Sequence, residues 1–275
     1  LAGFFFEQMG TLLNATGTGT LKREGWSMNN QSSPKSAGAT KGLMRLDALL
    51  SQRGYSSRRD VPRFLREHNV ILKDSPDSPL KKGEQKVHPA QVLIDGSEVD
   101  APQLYLVMNK PLGMTCSHQD KGPLVYDILP DRYRERSPLL ATIGRLDKDT
   151  TGIILLSDDG DLNHRLTSPK KKVPKVYHVL LDRPVSSEEL QQIERGGMML
   201  ESETTPLLPA EVKQLGPQEV ELTIWEGRYH QVRRTFAALG NHVNELHRTH
   251  FAGLGLSDLE LGAYRQLTAE ELAAL

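Results

Sequence analysis

Residues 144–152 read Gly-Arg-Leu-Asp-Lys-Asp-Thr-Thr-Gly and run without a break into the apolar segment Ile153-Ile154-Leu155-Leu156. A short continuous apolar run bounded by turn residues is the pattern of a buried strand. The residues ahead of it form a glycine-bounded loop. Gly144 and Gly152 tolerate conformations and close approaches that other residues do not, so such a loop can press its main chain against a ligand. It presents an acid, Asp147, at the entry to the strand. By spacing alone, a polar turn before a core strand accounts for these residues as well.

The chain has 275 residues, enough for one large domain and a small one. Hydrophobic content of 37% and charged content of 25% fit a globular protein with a polar tail. No apolar run reaches the length that spans a membrane. A single cysteine, Cys116, rules out an internal disulfide and a cysteine-based zinc site; it fits a reducing, cytoplasmic setting. The chain opens on Leu1, and residues 10–43 are rich in Gly, Ser, Thr, Asn and Ala with no sustained apolar period. We expect residues 1–43 to be a disordered tail or upstream extension, with Met44 as a natural start. Phe4-Phe5-Phe6 is too short for a signal-peptide core. Organelle targeting by this segment stays open, although Glu7 and Glu24 count against it.

Net charge is −1, so the overall balance does not announce a nucleic-acid binder; the distribution does. Residues 44–73 carry seven basic residues against three acids. Leu46, Leu49 and Leu50 recur at helical spacing, and Gly54 breaks that helix. Ser56 or Ser57 can cap a second helix, which carries Arg58, Arg59, Arg63 and Arg66 beside an apolar stripe of Val61, Phe64 and Leu65. Pro62 suits only a first turn, so this helix is expected to start near Ser57. A solvated face is the plain alternative for these arginines. Residues 85–100 alternate around Val87, Val92 and Ile94 and end in Asp95-Gly96, a hairpin turn. The boundary between a first unit, 44–101, and a second, 102–275, is placed near Pro102. In the second unit a strand covers Leu104 to Met108. Ser186 to Glu189 start a helix with a capping box, and Gly196-Gly197 end it. Val220, Leu222 and Ile224 share one strand face, and Tyr229 to Leu239 are helical.

Three segments are candidates for one site. The first is the Asp147 loop. The second is the strand Lys175-Val176-Tyr177-His178-Val179; between residues 164 and 178 there are five Lys or Arg and no acid, the strongest local positive field in the chain. The third, Glu226 to Arg234, turns from strand to helix. Each has a structural alternative: Tyr177 as a core aromatic, Arg233 as a solvated helix residue, Asp147 and Asp149 as loop carboxylates. Asp158-Asp159-Gly160-Asp161 lacks the alternating ligands and terminal Glu of a calcium loop.

Taken in order, these segments resemble the pseudouridine synthases, in particular the branch of the small-subunit ribosomal RNA pseudouridine synthase A. The resemblance rests on Gly144-Arg145-Leu146-Asp147, on Lys175 to Val179, on Tyr229-His230-Gln231-Val232-Arg233-Arg234, and on the closing segments 240–248 and 264–268. It runs from about residue 44 to 273. Residues 44–73 also resemble the small RNA-binding domain shared by ribosomal protein S four and tyrosyl-tRNA synthetases, with Lys73-Asp74 where that family has an Asp/Asn-Gly turn. The resemblance implies an α+β fold: a small helical and strand RNA-binding domain, then a catalytic domain built on a mixed, mainly antiparallel sheet with flanking helices. It implies Asp147 as the catalytic carboxylate and Tyr177 against the target base, helping proton transfer at carbon 5. Arg233 is implied as a buried basic partner of that carboxylate, Leu246 as an apolar contact near the base, and Arg145 as a residue holding the opened RNA. Arg58, Arg59 and Arg63 would dock the substrate.

The chemistry is consistent with this set. Pseudouridine formation breaks a carbon–nitrogen glycosidic bond, turns the uracil and joins its carbon to the same sugar. No redox change is needed, so neither cofactor nor metal is expected. A carboxylate can act on the sugar as nucleophile or as base, and an adjacent guanidinium keeps it ionised in a dry pocket. The expected partner is ribosomal RNA or an assembling small ribosomal subunit, with no membrane and with the protein as a monomer. A large-subunit RNA target, a non-catalytic ribosome-assembly protein using the basic helix, and a glycosidase pairing Asp147 with Asp149 or Asp159 are the alternatives. An acid set among positive segments is not needed by a pure binder, and basic flanks suit a polyanion better than a neutral sugar.

Overall fold

The structure, a computed structural model, describes residues 42–275. Of the tail expected over residues 1–43, residues 1–41 lie outside the described residues.

The first elements are strand β1 (Met44–Arg45), helix α1 (Leu46–Gln52), helix α2 (Val61–Glu67) and strands β2 (Val70–Leu72), β3 (Lys86–Val87), β4 (Val92–Ile94) and β5 (Ser97–Glu98). Leu46, Leu49 and Leu50 lie on one face of α1 and are wholly buried in an apolar cluster with Val61, Val70, Val87, Val92 and Ile94. Gly54 ends this segment at φ +75°. A Cβ there would stand 2.0 Å from the carbonyl oxygen of Arg132, so only glycine fits. The second helix starts later than expected. Residues Ser57 to Asp60 form a turn, with Val61 N–H donating to the Ser57 carbonyl at 3.1 Å, and Pro62 sits in the first turn of α2. A helix begun at Ser57 would put Pro62 in its interior, where the missing N–H and the ring clash break it. Arg58 and Arg59 therefore stand on the turn, and Arg63 and Arg66 on the helix. β4 and β5 form the hairpin expected at Asp95-Gly96, whose φ values of +50° and +83° suit a two-residue type I′ turn. The alternation expected from 85 onward is interrupted: Pro89–Gln91 form a 3-10 turn, and β3 pairs with β1 instead of continuing into β4.

The remaining elements are β6 (Tyr105–Lys110), α3 (Asp131–Arg134), β7 (Ala141–Ile143), β8 (Thr151–Ser157), α4 (Gly160–Thr167), β9 (Lys175–Leu181), α5 (Ser187–Arg195), β10 (Glu211–Gly216), β11 (Glu219–Ile224), α6 (Gln231–Ala238), β12 (Val243–Phe251), β13 (Leu254–Gly255), β14 (Tyr264–Gln266) and α7 (Ala269–Ala274). They build one mixed sheet in the order β10-β11-β9-β12-β8-β6-β14, with β7 beside β8 and β13 beside β12. Every pairing is antiparallel except β12 with β8. Ile154 and Leu156 join one apolar layer, with α5 and α6; Ile153 and Leu155 join the other, with α4. A strand covered on both faces has no polar side to display, which explains the unbroken apolar run 153–156 within β8. The capping box expected at Ser186 and Glu189 is present at the start of α5.

The acids at 158–161 have structural partners. Asp159 caps α4, accepting from the N–H groups of Asp161 and Leu162, and Asp158 takes Arg136 Nε at 2.7 Å. Arg136 also donates to the carbonyls of Ala101 and Pro102, Arg53 donates to that of Asp100, and Arg132 pairs with the Asp100 carboxylate. The segment 100–102 is thus pinned by three arginines. Among the described residues, no helix is long and apolar enough to cross a membrane.

Candidate active site

The loop before β8 is shaped by its two glycines and by a buried cation. Gly144 and Gly152 have φ of +72° and +109°. A Cβ on Gly152 would lie 2.2 Å from the Arg248 carbonyl oxygen of the neighbouring strand, so the close crossing of β8 and β12 requires a bare α-carbon here. Lys110, at the end of β6, is 0% exposed and donates to the carbonyls of Thr150 at 2.8 Å, Pro111 at 3.0 Å and Lys148 at 3.5 Å. Gly113 N–H adds a bond to the Lys148 carbonyl at 2.8 Å. Burial pushes the Lys110 ammonium below the usual lysine range, while Cys116, Asp149 and Asp147 pull it back up. A buried ammonium is tolerated where its donors are satisfied, and here two of its three acceptors, the Thr150 and Lys148 carbonyls, belong to the loop that carries Asp147.

Asp147 enters a cleft of about 760 Å³ with its side chain 32% exposed. Arg145, Tyr177 and Leu246 line the same cleft. Tyr177 and Leu246 are buried in its floor, on β9 and β12. Four residues predicted for one site are therefore brought together by three separate segments. Arg58, Arg59 and Arg63 do not line this cleft; they are exposed on the first unit.

Arg233 differs from expectation. Its Nε pairs with the Asp149 carboxylate at 3.1 Å, and its other nitrogens donate at 2.8 Å to the carbonyls of Asp149 and Val243. Among the described residues, the basic side chain within pairing distance of Asp147 is His230, with Nε2 at 3.4 Å from Oδ1. Arg233 lies in the first turn of α6 and His230 just ahead of it in a left-handed conformation, so the two side chains reach two points of the loop, and the guanidinium meets the second acid. Arg234, the neighbour, bonds Glu203 at 2.7 Å and the Glu201 carbonyl. Arg228 holds Glu226 and the carbonyls of Thr205 and Pro206. These two arginines tie the 201–206 strap to the start of α6.

Four cleft or loop residues were not singled out from the sequence: Lys110, Lys175, His230 and Arg248. His230 lay within a motif already noted, but its left-handed backbone, φ +47°, has no sequence signal in a non-glycine residue. Lys110 is a charged residue ending an apolar strand just before a proline, a weak cue. Arg248 is 2% exposed, donates from Nε to the Ile153 carbonyl at 2.9 Å and lies 4.8 Å from the Phe251 ring centroid. Lys175 lies beside that ring as well. Burial and the Arg248 charge bring its ammonium down to about 8. The cleft thus sets Asp147 among Arg145, Lys148, Lys175 and Arg248, while two of its other acids, Asp149 and Glu226, are held by Arg233 and Arg228; cations without an acid partner can attract a polyanion to the carboxylate.

Residues 104–238 match the RNA pseudouridylate synthase family. Among curated relatives, the ribosomal small subunit pseudouridine synthase A of Yersinia pestis is 42% identical over 238 residues, covering 84% of this chain and 98% of the relative. The protein of the same name from Escherichia coli (strain K12) is 39% identical over 238 residues, covering 84% of this chain and all of the relative (100%). A crystal structure of a pseudouridylate synthase superposes with a TM-score of 0.58 at 34% identity, covering 84% of this chain and 99% of that one.

Proposed function

The chain belongs to the RNA pseudouridine synthase family, and from that premise we propose that it converts one uridine of small-subunit ribosomal RNA to pseudouridine, with Asp147 as the catalytic carboxylate. The observation that carries this reading is the convergence of Asp147, Tyr177, Leu246 and Arg145 on one cleft. The small-subunit assignment is supported by the names of the curated relatives.

The reaction is an isomerisation, so atoms balance without a second substrate. The target uridine leaves its stack and enters the cleft, where Tyr177 and Leu246 offset part of an unstacking cost of roughly a few kcal/mol. Asp147 acts on the ribose as the bond from its carbon 1′ to uracil nitrogen 1 opens. The freed uracil turns within the cleft, its carbon 5 bonds to carbon 1′, the carbon 5 proton leaves, with Tyr177 positioned against the base to assist, and nitrogen 1, freed of the sugar, takes up a proton, so the product has the composition of the substrate. Arg145 holds the opened RNA. Arg233 acts as a positioning residue: seated on Asp149, it steadies the loop two residues beyond the carboxylate.

We read residues 44–101 as an S-four-like RNA-binding domain and 102–275 as the catalytic domain of a cytoplasmic monomer. The first unit's own apolar cluster and its exposed Arg58, Arg59, Arg63 and Arg66 support this. The test is to map pseudouridine across ribosomal RNA from cells with the protein, without it, and with Asp147→Asn in its place. Loss of one small-subunit position in the second and third cases is expected. Loss of a large-subunit position instead would move the substrate, and an unchanged map would overturn the reading.

A further inference from the structure

Tyr229 is the aromatic residue that stands furthest out of this site. It is 75% exposed and lines the cleft. A large ring left in water at the rim of a functional cleft has a use other than packing. One face of the ring is occupied: the His230 imidazole lies parallel to it, 3.9 Å between centroids with 16° between planes. Adjacent residues stack in this way here because His230 takes a left-handed backbone conformation. The backbone beneath the stack is anchored. Arg234 Nη1 donates to the Tyr229 carbonyl at 3.1 Å, and Gln231 Oε1 accepts from the Arg228 N–H at 3.0 Å. The two-ring stack is therefore preorganised, which lowers the ordering cost of using it.

We infer that the outer face of Tyr229 is a stacking platform for the base next to the target uridine. This rests on the reading of the chain as a uridine isomerase. Three observations select a nucleobase as the occupant. The inner end of the stack, His230, touches the Asp147 carboxylate at 3.4 Å, so the stack leads outward from the point where the target sugar is held. Arg145, Lys148 and Lys175 line the same cleft, and of its acids Asp149 is paired with Arg233 and Glu226 with Arg228, so these three cations can meet a strand of phosphates. The ring's open face is flat and apolar, and base stacking on such a face is tolerant of sequence. Drawing out one uridine unstacks its neighbours, and a neighbouring base that moves onto Tyr229 regains a stacking partner. Discrimination between target sites is then left to other contacts.

The experiment uses full-length protein and short single-stranded RNA oligonucleotides with one uridine, flanked on either side by the fluorescent base 2-aminopurine. Wild-type protein quenches the fluorophore on one side of the uridine. Tyr229→Ala loses that quench and binds about 5- to 150-fold more weakly, with an unchanged salt slope, because stacking releases no counterions. Tyr229→Phe keeps both quench and affinity. Unchanged quench and affinity in Tyr229→Ala, or a loss in Tyr229→Phe as large as in Tyr229→Ala, overturns the platform, the second because it would make the hydroxyl the contact. The isomerase reading is read separately, from the pseudouridine map of ribosomal RNA in cells carrying wild type or Asp147→Asn. Should no position depend on the wild-type protein, that reading fails and the platform falls with it.

Discussion

Around the first apolar cluster, Arg58, Arg59, Arg63 and Arg66 stand exposed, and the nearest carboxylate contact of Arg63 is a loose one of 3.8 Å to Glu67. Around the large sheet, Lys110, Arg136 and Arg248 are withdrawn from solvent and donate to main-chain carbonyls of Thr150, Pro102 and Ile153. The first set keeps its hydration, and suits phosphates arriving from solution. The second set supplies donors to buried carbonyls that lack a ladder partner, since a buried carbonyl must find a donor. The same residue types thus serve as contacts in one region and as clamps in the other, and what separates the two uses is burial.

The largest effect should come from the acid that the clamps hold. Asp147→Asn keeps the side-chain size and the loop, so the fold should persist while single-turnover pseudouridine formation falls by about 10²- to 10⁴-fold or more. Substantial residual turnover would mean that the clamped loop serves something other than its carboxylate.

Breaking a clamp should damage both stability and rate. Lys110→Met leaves the Thr150 and Pro111 carbonyls without their donor, and each lost charge-assisted bond is worth about 1.5–3 kcal/mol. Denaturant unfolding should show a loss of about 2–4 kcal/mol, and turnover at saturating RNA should drop with it. A variant as stable and active as wild type would show that the Asp147 loop holds its shape unaided.

The exposed set should respond in the opposite way. Replacing Arg58, Arg59 and Arg63 together with Ala should leave stability within about 0.5 kcal/mol per site. RNA affinity should fall and its dependence on salt flatten, through lost counterion release, with little change in turnover at saturating RNA. Unchanged affinity and salt slope would return these arginines to a solvated face.

Lys175 lies between the two uses, half-buried and in the cleft, and its effect should be the smallest. Its folded-state value of about 8 is below the ordinary 10.5. Between those values the unfolded chain keeps a proton that the folded chain has released, so this group's contribution to stability rises with pH across that window. RNA binding runs the other way, because a neutral amine does not attract phosphate. Affinity measured from pH 7 to 8.5 should weaken a few-fold in wild type, and Lys175→Met should remove that part of the dependence. Equal pH profiles in the two proteins would mean that Lys175 meets no phosphate.

Much of the framework is local and was therefore legible in the chain. The Asp95-Gly96 turn, the Ser186 capping box, the leucines of α1 and the buried strand 153–156 each depend on a few neighbouring residues and on one periodicity. The glycines of the Asp147 loop were legible too, because a left-handed or tightly approached backbone leaves few alternatives to glycine. The start of α2 was missed by about one turn, since Ser57 offers a plausible cap and only the position of Pro62 relative to the regular helix decides otherwise.

Pairing was not legible. Nothing in the order of residues says that Arg233 faces Asp149 while His230 faces Asp147; that follows from how α6 is set against a loop more than eighty residues earlier, a matter of a few ångströms. Nor does sequence say that Lys110 and Arg248 are buried while Arg58 is exposed. A basic side chain carries no mark of its surroundings, and its burial is decided by which carbonyls the fold leaves without donors. By itself the sequence determined the local elements whose signals lie within a few residues, and the acid ahead of the buried strand, because those rest on short-range periodicity and steric exclusion. The tertiary structure alone decided which charge answers which, because Coulomb and hydrogen-bond energies depend on distances that only the packed chain defines.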